Sequence, residues 1–365
     1  MSPLAQILAR RIALEGAISI ATYMAEALGH PQHGYYMRQD PFGRGGDFTT
    51  APEISQMFGE LIGLWCVEMW RLMDAPAPFR LVELGPGRGS LMADALRAAQ
   101  IRPEFQATAT IHMIETSPAL RAMQQQRLQQ SGADIAWHDD LAQVPAGPMI
   151  LIANEFFDAL PIHQFERRAE GWRERMVSQA DDEFTLVLNR HMTPQAVLIP
   201  EALTRTAPPG AIAEICPAGV AIAAAIAARI ATTGGVALII DYGHCRHVTA
   251  RTLQAVRKHA RHDFLVDPGD ADITAHVDFA TLANAADAAT IHGPVSQGDF
   301  LKRLGIEFRA AQLAQRATAA QAGDIDSACK RLIDPSQMGT LFKVLAISDP
   351  DMAVPPGFEQ PAETA

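Results

Sequence analysis

From residue 79 onward, short apolar runs alternate with stretches of helical periodicity, and this alternation limits the fold more than any other feature of the chain. Apolar runs of four to seven residues bounded by turn formers are strands buried on both faces. Helical stretches between them are crossovers, so the pattern predicts parallel βαβ units in a doubly wound α/β sheet. Strands are expected at 79–84, 108–114, 134–137 and 149–153, with helices at 91–100 and 118–130. A fifth strand at 236–240 runs into Asp241-Tyr242-Gly243, and a last one is expected at 341–347. About eighty residues separate the fourth and fifth strands, too many for one crossover helix. Within them, 162–179 and 183–188 alternate like antiparallel strands and 212–232 reads as the crossover helix, which predicts an inserted β-rich and helical subdomain.

Ahead of the sheet, apolar residues recur at helical spacing over 4–28 and again over 53–73. Between them lies Asp40-Pro-Phe-Gly-Arg-Gly-Gly-Asp-Phe-Thr-Thr-Ala-Pro-Glu53, whose three glycines in four positions permit tight turns and close ligand approach. A plain surface connection and a lid over a ligand are both compatible with it. The chain divides on this reading into 1–78 (N-terminal helices and glycine-rich segment), 79–160 (first half of the sheet domain), 161–234 (insertion and crossover helix), 235–348 (remainder of the sheet domain) and 349–365, a Pro-containing loose tail.

With 30 basic against 41 acidic residues, the net charge of −11 argues against affinity for a nucleic-acid backbone and favours a cationic side chain or protein segment as partner. Cys66, Cys216, Cys245 and Cys329 are scattered and form no CxxC pair, so neither a disulfide framework nor a cysteine zinc site is indicated, and a reducing cytoplasm fits. The Ala-rich stretch 218–231 carries Arg229 and falls short of the roughly 20 residues a bilayer demands, so no membrane insertion is expected. Arg10 and Arg11 are followed by Glu15 without an apolar core and cleavage site, which argues against a secretory signal and leaves an organellar presequence as the lesser alternative. His244, His247, His259 and His262 invite a metal, but Arg246, Arg257, Lys258 and Arg261 among them disfavour a divalent ion. No metal is expected, and the basic stretch reads instead as a loop near Asp267-Pro-Gly269 that grips a protein partner.

Four strand tips carry the candidate site. Glu83-Leu-Gly-Pro-Gly-Arg-Gly89 ends the first strand and opens a helix, where doubly wound sheets bind ligands. Its glycines, Gly85, Gly87 and Gly89, follow GxGxG rather than the GxGxxG of a dinucleotide site, and Glu83 beside them would repel a pyrophosphate but suit an ammonium. Glu115 ends the second strand, placed to accept hydrogen bonds from two ribose hydroxyls. Asp139 or Asp140 follows the third strand and is offered to an adenine amino group, and Asn154-Glu155 follows the fourth. Singly each acid also reads as a helix cap or a solvated group. Jointly they point to S-adenosylmethionine as cofactor, with a nicotinamide dinucleotide the less fitting alternative.

Several longer phrases resemble one family. Gly34-Tyr-Tyr36, Gly46-Asp-Phe-Thr-Thr-Ala-Pro-Glu-Ile-Ser55, Val82-Glu-Leu-Gly-Pro-Gly-Arg-Gly89, Ala153-Asn-Glu-Phe-Phe-Asp-Ala-Leu-Pro161, Asp241-Tyr-Gly243, Asp272-Ile-Thr-Ala-His-Val-Asp-Phe279 and Gln297-Gly-Asp-Phe-Leu301 are similar to those of the MidA methyltransferases. The resemblance runs from about residue 13 to 347 and implies a class I methyltransferase (Rossmann-like) sheet, use of S-adenosylmethionine and a protein arginine as acceptor. Eukaryotic members are mitochondrial complex I assembly factors that dimethylate an arginine of a core complex I subunit, so a protein substrate of that kind is implied here too.

A guanidinium is protonated at physiological pH and must be held by carboxylates. Glu155 and Asp158, three apart and expected on one side of a helical turn, are the catalytic candidates, Glu155 first. Asp47 and Glu53 are candidates for closing over the cofactor, and Asp278 or His276 for a general base. A small-molecule O- or N-methyltransferase and a non-catalytic assembly chaperone are the alternative readings. Oligomeric state is left open.

Overall fold

The computed structural model describes residues 1–38 and 50–359, and it groups them into two compact units. One unit comprises the described residues of Thr49–Phe156, Ala223–Gly243 and Ala283–Ala365. The other comprises those of Met1–Phe48, Phe157–Ile222 and His244–Leu282. Where the sequence reading divides the chain into consecutive segments, each unit here gathers three separated stretches.

The first unit is built on a seven-strand path: β1 (Phe79–Leu84), β2 (Ala109–Ile114), β3 (Ile135–His138), β4 (Met149–Asn154), β5 (Gly235–His244), β6 (Thr290–Ser296) and β7 (Phe342–Ser348). Its order is β3-β2-β1-β4-β5-β7-β6. β1 pairs parallel with both β2 and β4, and β4 parallel with β5. β7 is antiparallel to β5 and to β6. An antiparallel strand inserted before the last one departs from the 3-2-1-4-5-6 order of a dinucleotide-binding sheet, while the switch point beside β1, where ligands bind, is retained.

β4 is buried at all six positions and β1 at five of six, as strands covered on both faces by helices must be. Helices α1 (Gln56–Leu72), α2 (Ser90–Ala99) and α3 (Pro118–Leu128) include the expected crossovers. Ser55 and Ser117 start α1 and α3 by accepting from the backbone N–H of Met57 and Leu120. Phe58, Trp65, Phe79 and Phe105 are fully or nearly fully buried in the core they form with the sheet.

The tail expected to be loose is docked over its described part. Trp65 Nε1 donates to the carbonyl of Pro356 at 3.1 Å, Arg303 to that of Gly357 at 2.9 Å, and Phe358 is buried against Phe300. One aromatic anchor and two backbone carbonyls with fixed donors outweigh a composition that looks unstructured.

The second unit holds a five-stranded antiparallel sheet from Ile18–Ser19, His163–Arg168, Gly171–Ala180, Glu183–Leu188 and Ile212–Ile215. The inserted subdomain is therefore present, and the N-terminal segment contributes an edge strand to it. Residues 212–215, expected to begin the crossover helix, are a strand, and the helix starts at Pro217. Pro217 suits a first helical turn and has no N–H for a sheet ladder, so the boundary falls just before it. Helices Pro3–Glu15 and Ile20–Gly29, capped by Ser2 and Ser19, bury Leu8, Tyr23 and Met24 in a core shared with Val177 and Ile273.

Candidate functional site

The glycine turn leaves β1 with Gly85, Gly87 and Gly89 at φ of 59°, 53° and 75°, left-handed conformations that cost an L side chain energy. A Cβ on Gly85 would also meet the Phe156 ring at 2.8 Å. Gly85 N–H donates to the Ile114 carbonyl and Gly89 N–H to that of Pro86, which folds the turn tightly across the end of the sheet before α2 begins at Ser90.

Glu83 is buried, and its Oε2 has no hydrogen-bond partner among the described residues. Desolvation pushes its carboxyl up to about 8. Burial likewise raises the nearby Cys66 thiol, with the Glu83 charge adding to it. An acid left buried without a partner is costly, and a ligand ammonium offsets that cost.

Glu115 is held from within the protein. Its Oε1 accepts from Ser117 N–H at 2.8 Å and its Oε2 from Gln124 Nε2 at 3.2 Å, and burial still raises its carboxyl. Two oxygens offer about four acceptor sites, so capacity remains for a diol. Gln124 is the residue that sequence reasoning missed. Fully buried, it also donates to the Gly87 carbonyl at 2.7 Å and accepts from Trp137 Nε1 at 2.8 Å. One amide thereby ties the glycine turn, the second strand tip and the third strand together. Its only sequence signal is a polar residue on the apolar side of an otherwise amphipathic helix.

Asp139 is 67% exposed on its side chain and pairs with Arg121 at 2.6 Å, whereas Asp140 accepts from Ala142 N–H and starts a short 3₁₀ turn. The two acids offered to an adenine are thus an ion-pair partner and a cap. Asn154 is buried with Oδ1 lacking a described partner, and its Nδ2 donates to Glu155 Oε1 at 3.3 Å. Glu155 Oε1 also accepts from Ala51 N–H at 3.0 Å.

The helical turn expected to align Glu155 with Asp158 does not form. Glu155 N–H still bonds the Ile240 carbonyl of the sheet, its φ is +49°, and the following residues are bends and turns. A left-handed residue at the strand end turns the chain away instead of starting a helix. Asp158 belongs to the second unit, where it is buried and its charge helps raise the Tyr36 hydroxyl, after burial and Asp272, which accepts from Tyr36 at 2.7 Å.

Glu53 does reach the glycine turn, in the company of cations: Arg88 at 3.5 Å, Arg127 at 3.9 Å and a hydrogen bond from Ser90. Asp47 lies outside the described residues. Of the general-base candidates, Asp278 accepts from His247 Nδ1 at 2.8 Å, and the backbone N–H of His276 donates to Thr252 Oγ1. His244 Nδ1 faces the Arg246 carbonyl and His262 Nε2 that of Val266.

A family described as "Putative S-adenosyl-L-methionine-dependent methyltransferase" matches residues 61–295. The mitochondrial protein arginine methyltransferase NDUFAF7 homolog of Drosophila melanogaster is 41% identical over 94% of this chain and 84% of its own length. The Homo sapiens protein arginine methyltransferase NDUFAF7 is 36% identical over 95% of this chain and 83% of its own. The chain belongs to this methyltransferase family.

A Burkholderia thailandensis crystal structure with S-adenosyl-homocysteine bound matches this chain with a TM-score of 0.85 and 29% identity, covering 99% of it and 96% of the neighbour. The MidA resemblance, the class I methyltransferase fold and the S-adenosylmethionine cofactor read from the sequence are borne out. The residues of this family member fit that cofactor. A buried orphan carboxylate at Glu83 suits its ammonium, a glycine cradle admits its backbone-like end, and the Gln124-steadied Glu115 suits its ribose.

Proposed function

We propose that this enzyme transfers methyl groups to an arginine side chain of a protein, in the manner its relatives' names describe. The observation that carries the reading is the identity of 36–41% to protein arginine methyltransferases over more than nine-tenths of the chain. A core subunit of the NADH:quinone oxidoreductase, or a protein like it, is the acceptor that the MidA resemblance implies, with dimethylation as the outcome. Cytoplasmic residence fits four cysteines that are all free thiols.

When bound, S-adenosylmethionine supplies an electrophilic methyl group on a sulfonium. Glu83 would hold its ammonium, the turn from Gly85 through Gly87 to Gly89 its amino-acid end, Glu115 its ribose and Asp139 or Asp140 its adenine. Asn154 and Glu155, at the tip of β4, stand at the transfer end. Glu155, oriented by Ala51 N–H and Asn154 Nδ2, would bind the acceptor guanidinium and aim one nitrogen at the methyl. Asp158 is the other carboxylate proposed for the chemistry. Transfer to a guanidinium releases one proton, so a base completes the reaction. Glu53, paired with Arg88 and Arg127 at the glycine turn, would lie over the cofactor.

The test is incubation of the enzyme with radiolabelled cofactor and lysate of cells lacking it. A labelled protein whose acid hydrolysate contains methylated arginine supports the reading. Label on small molecules alone, or on another side chain, overturns it.

A further inference from the structure

The second unit contains a pocket outside every residue assigned above to the cofactor. Its walls include Ile162, Val220 and Leu282, and its polar lining includes Glu214, His244 and Asp278. No lysine or arginine is among the described residues that line it.

The two carboxylates differ in what they have left to give. Glu214 accepts from Gln164 Nε2 at 2.6 Å, from the N–H groups of Thr252 and Leu253 at 3.0 and 3.1 Å, and from the Thr252 hydroxyl. It receives four donors against three at Asp278, three of the four on Oε1, and its work is to hold the 252–253 segment. Asp278 accepts from the Thr281 hydroxyl and His247 Nδ1 on Oδ2, but only from Thr281 N–H on Oδ1, where His244 stands off at 3.9 Å. Its side chain is 18% exposed and lines the pocket, and Oδ1, with a single hydrogen bond, has acceptor capacity left in a setting where a charge-assisted bond is strong. The Cys216 thiol in the same lining is pushed up to about 11 by burial and stays neutral.

The rim points to a protein ligand. Leu198 and Val248 line the pocket yet are 43% and 38% exposed, and neighbouring Val197 is 84% exposed. An apolar rim around a carboxylate with acceptor capacity left is the form of a hot-spot pocket for a long side chain with a cationic head. The planar guanidinium, which stacks on flat rings such as His244 while it bonds a carboxylate, fits better than an ammonium.

We propose that this pocket binds an arginine side chain of the acceptor protein, its guanidinium on Asp278 and its stem along Ile162, Val220 and Leu282. The proposal rests on the protein-arginine reading for the identity of the ligand, and on the pocket alone for its chemistry. Glu155 is the proposed holder of the methylated guanidinium, so this pocket takes a second arginine of the same protein: disabling it should raise the acceptor KM at constant kcat, and loss of kcat would overturn that assignment.

The probes are butylguanidinium and its neutral isostere butylurea, titrated into the full chain and followed by saturation-transfer NMR. Butylguanidinium is expected to bind and butylurea not. Asp278→Asn, which keeps one oxygen for the Thr281 N–H but removes the charge, should weaken binding about tenfold or more, and Val220→Trp should block it by filling the pocket. A thermal melt checks that each variant is folded, and the KM for S-adenosylmethionine should not move. Equal binding of the two probes, or binding insensitive to both substitutions, overturns the proposal even if arginine methylation is found. Should no protein be methylated while Asp278-dependent binding persists, the arginine-transfer reading falls and the cation site stands.

Discussion

At the scale of single residues, Glu83 links protonation to cofactor binding. Its folded-state carboxyl sits near 8 instead of the ordinary 4.5, so without ligand it carries a proton through neutral pH. An ammonium ligand selects the ionised form, and binding below pH 8 must expel that proton. Cofactor affinity should therefore rise with pH, at most about tenfold per unit, and level off near 8. Calorimetric titration across pH checks this, and Glu83→Gln should flatten the profile while weakening binding throughout. The same shift makes Glu83 a destabilising group in the free protein. Stability is fully present below the unfolded pKa of 4.5 and falls as pH rises toward 8, because the folded state then holds a proton the unfolded state has lost.

Gln124→Ala should loosen three bonds at once and weaken cofactor binding by about tenfold or more. An unchanged dissociation constant would remove Gln124 from the site. Gly87→Val places a β-branched side chain at φ 53° and should abolish binding, which a normal titration would refute. For Glu155, alanine also strips Ala51 N–H of its acceptor, so Glu155→Gln is the cleaner change. Cofactor binding should persist while kcat falls about a hundredfold or more, and unchanged turnover would exclude Glu155 from the chemistry.

Elements show where local pattern and long-range packing part company. β1 and β4 are visible in the sequence because burial on both faces demands continuous apolar runs, and α2 and α3 because amphipathic spacing follows from 3.6 residues per turn. The strand at 212–215 and the helix after it read as one helix because four residues carry too little periodicity to separate them. The C-terminal segment was illegible for another reason: its docking depends on Trp65, Arg303 and Phe300, which are distant in sequence. Phe358→Ala should cost about 3 kcal/mol, the usual penalty for truncating a buried aromatic. A denaturant titration with unchanged midpoint would show that the segment contributes nothing.

On the scale of the molecule, two units, each gathered from three stretches of sequence, divide the labour proposed here: the parallel sheet with its glycine turn and Glu155 for the cofactor and the transfer, the antiparallel unit with its Asp278 pocket for a further arginine of the acceptor. A ligand that binds only the folded state stabilises it by mass action, about 2.7 kcal/mol at a hundred times its dissociation constant. S-adenosylhomocysteine should accordingly raise the melting temperature. It should also slow hydrogen exchange at 83–90, 115–124, 137–141 and 153–156. Protection confined to other segments would relocate the cofactor.

What the sequence determined by itself is whatever rests on near-neighbour physics: strand and helix periods, a glycine spacing that only left-handed turns explain, and acids placed at successive strand ends. Tertiary structure alone decided which of those acids are steadied, paired or left bare. Gln124 joins three strand tips, Glu53 meets two arginines, Glu155 turns left-handed instead of entering a helix, and Glu214 takes four donors where Asp278 takes three. Hydrogen-bond partners and desolvation are set by atoms far apart along the chain, and no local pattern encodes them.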